Sequence, residues 1–169
     1  VIVCPPFLAI ETVCAITKGS DLRLGAQNVH YAPDGAFTGE ISASMLKEMC
    51  EFVIVGHSER RNLFAESDEV VSRKTAAVQQ SGMRPILCVG ELIEQRETDR
   101  ALEVIELQLR QGLDHVTSCE GLVVAYEPVW AIGTGIAATP YDAQHMMSHI
   151  SDVLRSIFGE SGSGIPLLY

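Results

Sequence analysis

The chain has 169 residues, 47% apolar and 20% charged, with 22 acidic against 12 basic side chains. Its length suits one domain with a real core, and the apolar share excludes a disordered or low-complexity chain. A formal charge of −10 argues against nucleic acid and against an anionic membrane surface as partners, and no apolar run approaches the roughly 18 residues of a spanning helix.

The first apolar run, Val1-Ile-Val-Cys4, exits sharply through Pro5-Pro6. The second, residues 22–26, leads into Gln27-Asn28 and then a long polar loop over residues 29–42. A loop of that length is usually functional or an interface element. The third run, residues 52–56, ends in His57-Ser58-Glu59-Arg60-Arg61. The fourth, residues 85–90, ends in Glu91, and the fifth, residues 122–126, in Glu127-Pro128. Residues 165–169 form the sixth. None alternates apolar with polar residues, as strands buried on both faces do not.

Between these runs lie stretches of helical period. Leu102, Ile105, Leu109 and Leu113 share one face of a helix expected over residues 93–113. Met146, Met147, Ile150, Val153, Leu154 and Ile157 share a face of the next. That helix has Thr139 as N-cap, Pro140 at its first position and Gly159 as its stop. Strand–helix alternation implies a parallel sheet covered by helices, either open and doubly wound or closed as a (β/α) barrel. In both, function sits at the C-terminal strand ends. Residues 1–169 read as a single domain, with no linker.

Two strand ends carry chemistry. His57 follows a glycine and precedes an expected short helix, whose N-terminal partial charge favours the neutral ring. A neutral imidazole can donate a hydrogen bond to a carbonyl without releasing a full proton. Glu127 sits between an apolar strand and a proline that holds it extended, so its carboxylate is aimed rather than swinging on a loop. Taken singly, each has a plainer reading: a packed histidine, and a strand-end glutamate paired with an arginine. The segment that follows, Pro128-Val129-Trp130-Ala131-Ile132-Gly133-Thr134-Gly135, is apolar in the middle and glycine-rich at its end. It suits a lid that closes over a site and sheds water from it. Backbone N–H groups near Gly133 are placed to take a phosphate oxygen.

Other candidates read blandly. His145 and His149 stand four apart on a helix but lack the Glu of a zinc motif. The acidic run of residues 94–99, with Arg96 and Arg100, reads as a solvated helix start. Five widely spaced cysteines (Cys4, Cys14, Cys50, Cys88, Cys119) read as reduced, buried thiols of a cytoplasmic protein, with no metal site.

Residues 125–135, Ala-Tyr-Glu-Pro-Val-Trp-Ala-Ile-Gly-Thr-Gly, resemble the signature around the catalytic glutamate and lid of the triosephosphate isomerase family. Val55-Gly-His-Ser-Glu-Arg-Arg61 resembles its catalytic-histidine segment. Gly25-Ala-Gln-Asn28, Gly35-Ala-Phe-Thr-Gly-Glu-Ile-Ser42 and Cys88-Val-Gly-Glu91 resemble further family blocks in the same order. The resemblance implies a (β/α)8 TIM barrel of which this chain covers about strands 2 to 7, and interconversion of dihydroxyacetone phosphate and D-glyceraldehyde 3-phosphate in glycolysis and gluconeogenesis. It implies Glu127 as the base, His57 as the neutral electrophile and Glu59 as support for a catalytic lysine. Gly133 becomes the phosphate-contacting lid position, and Trp130 and Glu91 engage each other at the hinge. Thr38, Gly39 and Glu40 become a loop docking into the second subunit of a homodimer, with Arg60 opposite Glu40. No metal or organic cofactor is implied.

The family's Asn-x-Lys segment and its last phosphate-binding serine and glycines have no counterpart in these residues. The expectation is an internal piece of the enzyme that is inactive alone, and the alternative a non-catalytic barrel piece serving assembly. Ile136 stands where relatives often carry Lys.

Overall fold

A computed structural model describes residues 1–135 and 137–169; Ile136 lies outside the described residues. Six parallel strands follow the chain order: β1 (Ile2–Val3), β2 (Arg23–Ala26), β3 (Phe52–Val55), β4 (Arg84–Val89), β5 (Val123–Tyr126) and β6 (Leu167–Leu168). Each pairs with its sequence neighbour, so the sheet curls in one direction as successive crossovers stack. The central ladders are the longest, Phe52 to Val55 against Arg84 to Leu87 and Ile86 to Val89 against Val123 to Tyr126.

Helices connect the strands: α1 (Ile10–Thr17), α2 (Ala43–Leu46), α3 (Ser58–Leu63), α4 (Asp68–Gln80), α5 (Ile93–Glu97), α6 (Ala101–Gly112) and α7 (Pro140–Phe158). The unbroken apolar runs have a simple cause, since both faces of the sheet are buried. Phe52, Ile86 and Val123 form a small cluster on one face, with Ile54 and Ala125 against it. Val53, Val55, Leu87, Val89 and Val124 point the other way, into the main core under Val71, Ile105, Leu109, Ile150 and Leu154. Each fully buried aliphatic of this kind contributes about 1.5–3 kcal/mol.

The last helix matches its sequence signals. Thr139 Oγ1 accepts the Asp142 N–H at 3.1 Å, Asp142 accepts the Thr139 N–H at 3.1 Å, and Gly159 ends the helix at φ +65°. The single helix expected over residues 93–113 is instead two, α5 and α6. Asp99 sits at φ +60°, the Asp99 N–H donates to the Arg96 carbonyl and the Arg100 N–H to that of Gln95. These bonds close α5 with a left-handed cap, a conformation that aspartate tolerates and apolar periodicity does not register. The outer strands are also shorter than their apolar runs, at two residues each.

Residues 29–42 form a closed loop whose ends meet where the His30 N–H donates to the Ile41 carbonyl at 2.8 Å. The His30 ring stacks on Tyr31 and leans on Phe37, and its Nδ1 accepts the Ala32 N–H. Thr38, Gly39 and Glu40 are exposed on this loop. All five cysteines are free thiols; Cys50 and Cys88 are buried, the other three partly so.

Candidate active site

β3 is followed by Gly56, whose φ of +69° turns the chain into His57, the N-cap of α3. His57 Nδ1 accepts the Glu59 N–H at 3.3 Å, which places the neutral ring's proton on Nε2. That Nε2 lies 3.2 Å from Glu127 Oε1. The other Glu127 oxygen accepts the Ser58 N–H at 3.3 Å. Glu127 keeps its strand pairing one residue beyond β5, its N–H donating to the Val89 carbonyl at 2.9 Å, before Pro128 ends the ladder. A carboxylate and an imidazole thus face one point from the ends of β5 and β3, which flank β4, an arrangement able to pass protons to and from one substrate.

The surroundings are rigid. Arg61 donates to the Gly56 carbonyl at 2.7 Å, to the Cys88 carbonyl at 3.3 Å and to Asp68, tying together the exits of β3 and β4. Burial, and then the neighbouring Glu127, push the Cys88 thiol well above its ordinary range, so it stays protonated beside the carboxylate. Glu59 points outward, its Oε2 3.8 Å from His57 Nδ1. A cavity of about 460 Å³ opens beside His57, lined by Cys4, Gln27, Asn28, Glu59 and Arg60 among others. A larger cleft of about 670 Å³ lies at the opposite strand ends around Arg84 and His115 and holds none of these groups.

Behind this cavity a buried ionic cluster fixes the end of β2. Lys74 Nζ donates to Asn28 Oδ1 at 2.8 Å and to Glu66 Oε2 at 2.9 Å, and the Arg60 Nε–H donates to the same Glu66 oxygen at 2.6 Å. Burial lowers the Lys74 pKa, with the Glu66 hydrogen bond working against that shift. Arg60, the candidate partner of Glu40 in a second subunit, is therefore paired with Glu66 inside its own chain and lies over the Phe64 ring.

The candidate lid, residues 128–135, is held at its base and bonded within itself. The Trp130 indole N–H donates to Glu91 Oε1 at 2.7 Å, and the Tyr126 hydroxyl donates to that same oxygen at 3.0 Å. Glu91 is fully buried. Burial and then Glu91 drive the Tyr126 phenol upward, so it remains a donor. Pro128 and Ala131 carbonyls accept from Ala131 and Thr134 N–H groups, while Gly133 and Gly135 turn at φ +72° and +75°. Gly133 is exposed, with open space where a side chain would project. Val129 and Ala131 flank the buried Trp130, and Ile132 is exposed.

Arg96 departs from its expected place on a solvated surface. Its guanidinium lies 4.5 Å from the Trp130 ring centroid, 3.7 Å from Glu91 Oε1, and donates to Asp142 at 2.6 Å. It therefore links Trp130 to the first turn of α7. Arg100, from the same run, makes an exposed pair with Glu103. Gln108 was also silent in the sequence; its side chain bonds both peptide groups of Gly90. His149 Nε2 lies 3.1 Å from the Leu102 carbonyl and His145 stacks beside Tyr141, so the two form no ligand pair.

The family model for triosephosphate isomerase matches residues 1–169. The chain belongs to the triosephosphate isomerase family. It is 47% identical over 169 residues to the triosephosphate isomerase of Dehalococcoides mccartyi strain 195, covering 99% of this chain and 67% of that protein. With that of Aquifex aeolicus strain VF5 the identity is 46% over 171 residues, covering 100% and 69%. The crystal structure of triosephosphate isomerase from Bartonella henselae superposes with a TM-score of 0.92 at 38% identity, over 99% of this chain and 69% of that one. The chain thus spans about two thirds of the length of these family members. Its curled parallel sheet is part of a (β/α)8 TIM barrel.

Proposed function

We propose that the gene product interconverts dihydroxyacetone phosphate and D-glyceraldehyde 3-phosphate through an enediolate, as a glycolytic and gluconeogenic enzyme of the cytoplasm. The observation that carries this reading is the His57 Nε2 to Glu127 Oε1 approach at 3.2 Å, with Nδ1 committed to the Glu59 N–H. Glu127 removes a proton from the carbon beside the substrate carbonyl and returns it to the neighbouring carbon. His57, donating from Nε2, polarises the carbonyl and moves protons between the enediolate oxygens. The lid, residues 128–135, closes on the phosphate, which takes the Gly133 N–H, and Glu59 steadies a catalytic lysine.

The reaction needs no metal or organic cofactor among these roles. Thr38, Gly39, Glu40 and Arg60 contribute to a homodimer contact. In the complete gene product, Glu127→Asp withdraws the carboxylate by about one methylene, and kcat falls by roughly 100-fold or more with KM little changed. His57→Gln slows turnover likewise. Near-normal kcat in either variant removes that residue from its role.

A further inference from the structure

Gly90 leaves β4 beyond its last ladder pair, Val89 with Tyr126, and one side chain takes up both of its peptide groups. Gln108 Oε1 accepts the Gly90 N–H at 2.9 Å, and Gln108 Nε2 donates to the Gly90 carbonyl at 3.1 Å. A carboxamide offers the same donor and acceptor as a peptide group. Through Gln108, α6 supplies the bonds that a further strand partner would have made.

What Gln108 holds is a crossing point. A Cβ on Gly90 would stand 2.0 Å from the Glu127 carbonyl oxygen and 2.9 Å from Val129 Cγ2. The main chain of Glu127 therefore runs hard against Gly90, with no side chain between to set the spacing. On the other side of the corner, Glu91 receives the Trp130 indole and the Tyr126 hydroxyl. The base and the lid hinge thus both lean on one two-residue corner.

We propose that Gln108 is a positioning residue: it fixes the Gly90–Glu91 corner and so sets the seat of the Glu127 main chain and the attachment of the lid at Trp130. The part concerning the base rests on the isomerase reading; the part concerning the hinge does not.

Trp130 is the single tryptophan of the sequence, so its indole N–H gives one line in a proton–nitrogen spectrum. Gln108→Met keeps the length and removes both bonds. In that variant the indole line shifts or broadens, and in the complete gene product kcat falls roughly 10- to 100-fold with KM within about twofold. Gln108→Glu keeps the acceptor for the Gly90 N–H, and its carboxyl regains a donor for the carbonyl only when protonated. Its kcat relative to the unsubstituted enzyme therefore rises as pH falls from about 8 towards about 5. A residue with a merely structural role would not give that slope.

An unmoved indole line in folded Gln108→Met overturns the proposal, as does an undiminished kcat where the parent is active. Should Gln108→Met not fold, the pH slope and indole line of Gln108→Glu decide instead, a flat slope with an unmoved line overturning it. If the unsubstituted product does not isomerise triose phosphates, the isomerase reading fails and the indole line alone judges Gln108.

Discussion

His57 acquires its acceptor nitrogen from a single amide, the Glu59 N–H, which exists in that place because His57 caps α3. At the far end of the same short helix, Ala65 is held at φ +51°, a left-handed position that costs a residue with a Cβ about 1–2 kcal/mol. Glycine removes that strain but adds about 0.4–1 kcal/mol of unfolded-state freedom. Ala65→Gly should therefore raise stability by about 0.5–1 kcal/mol, read as a higher denaturation midpoint at unchanged slope; a lower midpoint rejects the strain. The two residues assigned to chemistry were legible because strand ends advertise themselves: an apolar run stops at a glycine or before a proline, and the next polar side chain is aimed. Gln108 and Arg96 were not legible. Each lies on a helix surface whose spacing suits solvent, and each acts on a loop that only the folded barrel brings near.

The proposed lid and α7 are joined through Arg96, which reaches from α5 to the capping residue Asp142 and covers the Trp130 indole. The Thr139 hydroxyl, and then Arg96, hold the Asp142 carboxyl down at about 2, below its ordinary 3.8. A carboxyl more acidic in the folded chain than in the unfolded one stabilises the fold when ionised. That contribution is complete above about pH 4 and is lost as pH falls towards about 2. Melting temperature should accordingly drop more steeply between pH 4 and 2 in the parent than in Asp142→Asn. Parallel curves from calorimetry would dismiss this linkage. The helix α7 itself could be bounded from sequence, because threonine, proline and glycine are explicit stops. The break between α5 and α6 could not, because an aspartate in a left-handed cap looks like one more acidic surface residue.

For the whole molecule, the parallel sheet was readable from six unalternating apolar runs, since a strand buried on both faces leaves no polar side to show. Whether the sheet closed was not readable from periodicity, and the family motifs were needed to choose between the two architectures. Leu63 and Phe64 are strongly exposed at the end of α3, and Met45 and Phe37 are exposed on and near the long loop. Such apolar surface, together with the loop of Thr38, Gly39 and Glu40, suits the proposed homodimer. The complete gene product should sediment as a dimer, and Phe64→Glu should shift it towards monomer at micromolar concentration. An unchanged mass would move the interface elsewhere. The strand order, identical to the chain order, has a consequence for how the protein is made. As the ribosome releases these residues from the amino end, each new strand among those described finds its preceding neighbour already delivered. The proposed base does not share that convenience, because Glu127 follows Ser58, whose N–H it accepts beside His57, by 69 residues. On the proposed reading the nascent chain therefore carries His57 without Glu127 for much of its synthesis, and the two meet only once β5 has docked on β4.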